Sequence, residues 1–122
     1  MKDLRIGVDI VEIDRIAHAL RRHGEHFIRK VFTQEEANYC RTKKSAASWA
    51  ARFAAKEALG KALHVPDVPP RWTDVEVLRD ERGRPSLRLH GRALELARGA
   101  RVELSLSHTH HYAVAMVALI EP

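Results

Sequence analysis

The sequence predicts an α+β fold in which helices pack on an antiparallel sheet. Three observations predict it. Helical spacing fills most of the first half of the chain, strand alternation fills most of the second, and the turn Asp80-Glu-Arg-Gly-Arg-Pro85 folds two of the strands into a hairpin. The 122 residues have the length of one ordinary domain, and 45% apolar with 30% charged residues is the composition of a soluble globular protein. Residues 1–122 are therefore read as a single domain.

Arg5 to Asp9 alternates, with Ile6 and Val8 on one face, and reads as a first strand. Ile10, Ile13, Ala17 and Leu20 then recur at helical spacing, so a helix is expected to about Arg22, ending near Gly24. Thr33-Gln-Glu-Glu36 has the form of a capping box, a hydroxyl at the helix entrance and a carboxylate three residues on, and opens a short helix toward Cys40. Ser45 to Leu63 is the longest helical candidate, rich in alanine and free of proline. Val65-Pro-Asp-Val-Pro-Pro70 is a stiff loop through which no helix can continue.

Val75 and Val77 mark a strand over Asp74 to Arg79, and Leu87 and Leu89 a second over Ser86 to His90. A short helix is expected over Arg92 to Arg98. Val102, Leu104 and Leu106 share one side of a strand over Arg101 to Ser107. Tyr112 to Ile120 is apolar on both faces, as a strand covered on both sides would be.

Composition excludes several classes. That last strand is also the longest apolar run, nine residues, against the ~20 that a spanning helix needs, so no membrane segment is expected. Met-Lys-Asp-Leu-Arg leads straight into patterned sequence with no signal-peptide core, and cytoplasm is the expected location. Cys40 is the only cysteine, which rules out an internal disulfide and a Cys-x-x-Cys site. The formal charge of +5 is compatible with an anionic partner, but charge alone does not separate nucleic acid, phosphorylated cofactor and acidic protein, and solubility alone accounts for it.

Three places carry candidate chemistry. In Arg52-Phe-Ala-Ala-Lys-Glu-Ala-Leu-Gly-Lys61, Glu57 projects into an apolar sector beside Phe53, Ala50 and Trp49, where a carboxylate must be paired, protonated or bound to a metal. Lys61, one turn on, makes an ordinary (i, i+4) pair an equally good explanation, and Lys56 also lies near the apolar sector. Asp9 stands where strand gives way to helix, either as an N-cap or as a carboxylate available to a hard cation; Glu12 and Asp14 fall on other faces. Ser105-Leu-Ser-His-Thr-His-His111 gathers hydroxyls and imidazoles suited to phosphate oxygens at a strand end. Zinc is disfavoured there because no distant Cys or His set completes a site, and a polar hairpin tip is the plain alternative.

Taken together and in order, these segments resemble holo-[acyl-carrier-protein] synthase, the small type of the 4'-phosphopantetheinyl transferase superfamily. The resemblance is carried by Ile6-Gly-Val-Asp-Ile-Val-Glu-Ile-Asp-Arg-Ile16 and by Trp49-Ala-Ala-Arg-Phe-Ala-Ala-Lys-Glu-Ala-Leu-Gly-Lys-Ala62. Gly83-Arg-Pro85 and Leu104-Ser-Leu-Ser-His-Thr109, followed by Tyr112-Ala-Val-Ala, extend it over nearly the whole chain. It implies that family's fold and transfer of the phosphopantetheine arm of coenzyme A to a serine of apo acyl carrier protein, for fatty acid biosynthesis. Asp9 and Glu57 match the Mg²⁺ ligands, and Lys61 matches the lysine on the coenzyme A phosphates. Arg52, Pro85, His108 and Thr109 match positions around the nucleotide or its phosphates. Glu57, Lys61 and His108 would act in catalysis. The family is typically trimeric, with sites between subunits. Arg15, His18 and Arg22 form a basic stripe with Arg21 adjacent, and the resemblance implies carrier docking there through Arg15, Arg21 and Arg22, although a solvated basic face explains the pattern alone. Many members have a glycine-rich connection after the long helix. Here His64-Val-Pro-Asp-Val-Pro-Pro70 takes its place, and proline donates no amide hydrogen to a phosphate.

Two other readings compete. A basic nucleic-acid-binding module without catalysis draws on the charge and the Arg-rich first helix, but aromatics are only 6% and no recognition motif is present. A metal-dependent phosphohydrolase would turn the same carboxylates on water.

Overall fold

The computed structural model describes residues 3–64 and 68–122. Its centre is the last strand, β5 (Tyr112–Ile120), flanked on one side by β1 (Leu4–Glu12) and on the other by β4 (Arg101–His108), all antiparallel. The alternation of β5 sends Ala113, Ala115, Val117 and Leu119 inward, each fully buried. Against that inner face lies the longest helix, α4 (Ala47–Leu63), which packs on β1 and β5. Its alanines 50, 54, 55, 58 and 62 are all fully buried, so small side chains on helix and strand let the two layers approach closely.

Around this layer pair run α1 (Ile13–His23), α2 (Glu25–Val31) and α3 (Gln34–Cys40). A 3₁₀ turn at Trp72–Asp74 leads into β2 (Val75–Arg79), which pairs with β3 (Pro85–Leu89) in a separate two-stranded sheet, and α5 (Gly91–Ala97) follows. Aromatic rings join the pieces. Phe32 meets Trp49 edge-on at 4.9 Å, and Phe53 stacks on Trp72 at 5.0 Å between centroids.

The α+β class with an antiparallel sheet is as expected. The Thr33 capping box is present, with Thr33 Oγ1 accepting from Glu36 N–H and Glu36 Oε1 accepting from Thr33 N–H. Other expectations need correction. The first strand does not end at Asp9: it runs on through Ile10 and Val11 to Glu12, and Asp9 pairs with Ala115 inside the ladder rather than capping a helix. Gly24 ends α1 but also leads at once into α2, whose seven residues are too few to show a period. Pro85 opens β3 rather than closing the turn. Of the proline-rich loop, Val65, Pro66 and Asp67 lie outside the described residues.

The expectation of cover on both faces of β5 fails within one chain. The outer face of the sheet carries Leu4, Ile6, Val8 and Ile10 of β1, from 55% to 65% exposed, beside Tyr112 and Met116 of β5. Among the described residues nothing covers this apolar face, and no helix is long and apolar enough to cross a membrane.

Candidate active site

Strand alternation gives Asp9 its direction. Along β1, Arg5, Gly7, Asp9 and Val11 face inward, so the carboxylate of Asp9 is turned toward α4 rather than toward solvent. From α4, Lys61 reaches across and donates to Asp9 Oδ1 at 3.1 Å and to the carbonyl of Val8 at 3.0 Å. The Lys61 side chain keeps 58% of its surface exposed, so its ammonium stays available to a ligand, while Asp9 is 19% exposed.

Glu57 lies one turn before Lys61 and is half-buried. Burial pushes its carboxyl above the usual range, and the negative charge of Asp9 pushes it further, against the opposing pull of Lys61 and Arg15. Two carboxylates close enough for the charge of one to disfavour ionisation of Glu57, at the junction of one strand and one helix, form a seat for positive charge. Two oxygen donors suit a hard dication such as Mg²⁺, which takes one or two protein carboxylates and fills its shell with phosphate and water. Among the described residues no group of three or more His, Cys, Asp or Glu is poised for a metal. The pair thus fits Mg²⁺ better than a fully protein-ligated ion.

Beside Glu57 lies a cleft of about 270 Å³ lined by Pro69, Pro70, Arg71 and Trp72. The prolines of the loop after α4 therefore shape the space next to Glu57. Sequence alone does not mark Trp72, because its stacking on Phe53 is a contact between distant segments that no local pattern records.

The remaining candidates lie elsewhere in the chain. His108 ends β4, and Thr109 begins the turn to β5, where its hydroxyl accepts from the backbone N–H groups of His111 and Tyr112 at 3.3 and 3.1 Å. Both line an open cleft of about 640 Å³ with Ile13, Asp14 and Ser45, and neither Asp9, Glu57 nor Lys61 reaches it. Arg52 is buried to 2% exposure, donates to the Ser48 carbonyl at 3.2 Å, and sets its guanidinium 4.5 Å from the centre of the Tyr39 ring. Pro85 is half-buried at the start of β3. Arg15, Arg21 and Arg22 are exposed on α1, and of these Arg15 is the one whose charge acts on Glu57. The chain thus unites Asp9, Glu57, Lys61 and Arg15 but leaves His108 and Thr109 in a second cleft.

The sequence model of the 4'-phosphopantetheinyl transferase superfamily matches residues 5–117. The chain belongs to this superfamily. Among curated superfamily members, the holo-[acyl-carrier-protein] synthase of Koribacter versatilis is 45% identical over 121 residues, covering 95% of this chain and 97% of that protein. The holo-[acyl-carrier-protein] synthase of Moorella thermoacetica is 45% identical over 122 residues, covering 97% of this chain and 94% of its own. The solved ACPS-CoA complex of Chronobacterium ammoniagenes superposes with a TM-score of 0.86 at 33% identity, covering 98% of both chains. The Bacillus anthracis holo-(acyl-carrier-protein) synthase in complex with CoA (3',5'-ADP) gives a TM-score of 0.81 at 34% identity, covering 97% and 96% of the two chains. Membership of this transferase superfamily leaves the non-catalytic nucleic-acid-binding reading of the basic charge without support.

Proposed function

We propose that the chain is a holo-[acyl-carrier-protein] synthase: it transfers the 4'-phosphopantetheine group from coenzyme A to a serine of apo acyl carrier protein, releasing adenosine 3',5'-bisphosphate, in service of fatty acid biosynthesis. The observation that carries the reading is the cluster of Asp9, Glu57 and Lys61 at the β1–α4 junction, two carboxylates and a partly free ammonium on inward positions of rigid elements. Its likeness to curated holo-[acyl-carrier-protein] synthases over almost the full chain supports the same activity.

Asp9 and Glu57 would hold Mg²⁺. When bound, the ion supplies neutralisation of pyrophosphate charge and orients the group to be transferred. Lys61 places a cation beside the same phosphates, and its present bonds to Asp9 and Val8 hold it in position before substrate arrives. The carrier serine attacks the phosphorus next to the pantetheine arm, and the bond to the adenosine bisphosphate phosphate breaks. Arg52, Pro85, His108 and Thr109 belong to the nucleotide side of the site, with His108 offsetting charge on the leaving oxygens.

Among the described residues, His108 and Thr109 line a different cleft from Glu57. A homotrimer with sites between neighbours resolves this, and the uncovered apolar face of the sheet gives it a contact surface. The acidic carrier docks on α1 through Arg15, Arg21 and Arg22, next to Glu57. Each subunit is a single domain, and the reaction takes place in the cytoplasm.

The direct test is the intact mass of apo acyl carrier protein after incubation with this protein, coenzyme A and Mg²⁺. Gain of one phosphopantetheine arm, lost on adding chelator, is expected. A folded protein that modifies none of several carriers overturns the reading, and adenosine bisphosphate released without a carrier would indicate hydrolysis instead.

A further inference from the structure

Gly7 sits two residues before Asp9 on the same inward face of β1, directly beneath α4. A Cβ built at this position lies 2.0 Å from the carbonyl oxygen of Ala58 and 3.0 Å from the amide nitrogen of Ala62. Ordinary contact begins at 3.4 Å, so even one methyl group would force strand and helix apart by more than 1 Å. The obstructing atoms are backbone, which no change of rotamer can move aside. Ala58 follows Glu57 directly, and Ala62 follows Lys61. The point of closest approach between β1 and α4 is therefore flanked by the residues that form the site: Asp9 on the strand, Glu57 and Lys61 on the helix.

We propose that Gly7 is a positioning residue that sets the spacing between the Asp9 and Glu57 carboxylates, and with it the site's affinity for a divalent cation. The inference rests on the assignment of those carboxylates as metal ligands. Gly7 needs no left-handed backbone for this: its φ is not positive, and it sits inside a regular ladder opposite Val117. What the position requires is the absence of a side chain, because only then does the backbone of α4 lie against β1. The edge strand β1, paired only with β5, is free to shift outward when pushed. Whichever element moves, Asp9 parts from Glu57, and Lys61 loses its hold on Asp9 and Val8. Ligand geometry is sensitive to displacements of this size, since a site loosened by about 1 Å ceases to act as one.

The test counts bound metal rather than turnover. Mn²⁺ is titrated into protein saturated with coenzyme A, free ion is read from its EPR spectrum, and a protein-free coenzyme A blank is subtracted. Gly7→Ala is expected to weaken Mn²⁺ at least tenfold while remaining folded by circular dichroism. Val77→Ala, a truncation in the buried face of the hairpin strand β2, should lower the melting temperature with Mn²⁺ binding unchanged. Glu57→Asp covers the case in which Gly7→Ala does not fold: with the gap fixed, the shorter side chain cannot close it, and Mn²⁺ binding again falls at least tenfold. Unchanged Mn²⁺ affinity in folded Gly7→Ala, or in Glu57→Asp, overturns the positioning role. Failure of the parent to bind Mn²⁺, or undiminished binding in Asp9→Asn, overturns the metal assignment beneath it.

Discussion

The ammonium of Lys56 lies 2.8 Å from the carboxylate of Glu36, and both side chains are closed to solvent. Lys56 also donates to the carbonyls of Trp72 and Val75, while Glu36 accepts from the backbone N–H groups of Thr33 and Val77. Burial drags the Lys56 ammonium below the usual lysine range, and the charge and hydrogen bond of Glu36 oppose it. The pair ties α3, α4 and the β2–β3 hairpin together one residue away from Glu57.

Removing one member leaves the other as a lone buried charge. Lys56→Ala should lower the unfolding free energy by about 3–5 kcal/mol in urea titration. Lys56→Met restores volume but not charge and should recover only part of this. A loss below about 1 kcal/mol in the alanine variant would mean that the pair is not a structural tie.

Glu76 offers a pH dependence of definite sign. Burial works to raise its carboxyl, but hydrogen bonds with Thr33 at 2.7 Å and His90 at 3.0 Å, with the charges of His90 and Arg88, hold it below the usual carboxylate range. A carboxyl held low when folded stabilises the protein above its unfolded pKa of about 4.3, and that contribution fades as pH falls through the folded value. Glu76→Gln should therefore be less stable than the parent at pH 6, with the difference shrinking as pH falls below about 4. A difference that grows toward acid would reverse the assignment. Melting curves of both proteins across this range decide it.

Much of this was legible in the sequence, and what was not has physical causes. The run Tyr112–Ile120 gave β5 its observed bounds because nine apolar residues leave no period to misread. The capping box at Thr33 was legible because its two hydrogen bonds are local. Ile10 misled because it satisfies two periods at once, the outward row of β1 and the apolar spacing of α1, and that outward row is apolar although exposed. At α4 a helical wheel brings both Lys56 and Glu57 near the apolar sector. Only the tertiary structure supplies Glu36 and two carbonyls to Lys56, leaving Glu57 half-buried beside Asp9. Asp9 and Glu57 are far apart in sequence, so their juxtaposition rests on strand direction and on the small residues between the layers.

For the carboxylates themselves, Asp9→Ala and Glu57→Ala should each reduce transfer at least a thousandfold, as should excess chelator on the parent. Stability should scarcely move. Asp9→Ala loses an ion pair to a largely exposed lysine, a kind of contact worth about 0–1 kcal/mol. Glu57→Ala removes a half-buried carboxyl whose ionisation is already disfavoured. Transfer assays beside thermal melts separate the two effects, and full activity in either variant would remove that residue from the metal site.

On α1, Arg15 is exposed and acts electrostatically on Glu57, so it stands at the border between the proposed carrier surface and the proposed metal site. Arg15→Glu should raise KM for the acidic carrier at least tenfold and leave coenzyme A binding within about twofold, the carrier effect shrinking at high salt. Isothermal titration with coenzyme A beside carrier-dependent kinetics makes the comparison. Equal loss of both would remove the docking role and assign Arg15 to the site itself.

The outer sheet face gives the last prediction. Ile6 of β1 pairs with Ala118, and Met116 of β5 pairs with Val8, so Ile6 and Met116 stand two rungs apart on a face that has no cover among the described residues. A contiguous apolar surface of this kind is costly in water and marks a site of association. Charges introduced there would have to be buried unpaired on assembly. If the proposed trimer forms through this face, the double variant Ile6→Lys, Met116→Lys should therefore fall from trimer to monomer by light scattering at micromolar concentration, with its circular dichroism retained because neither side chain belongs to the core. Transfer should fall with the mass if His108 and Thr109, which line a cleft apart from Glu57, act with it across subunits as proposed. An active monomer would show that one chain closes its own site.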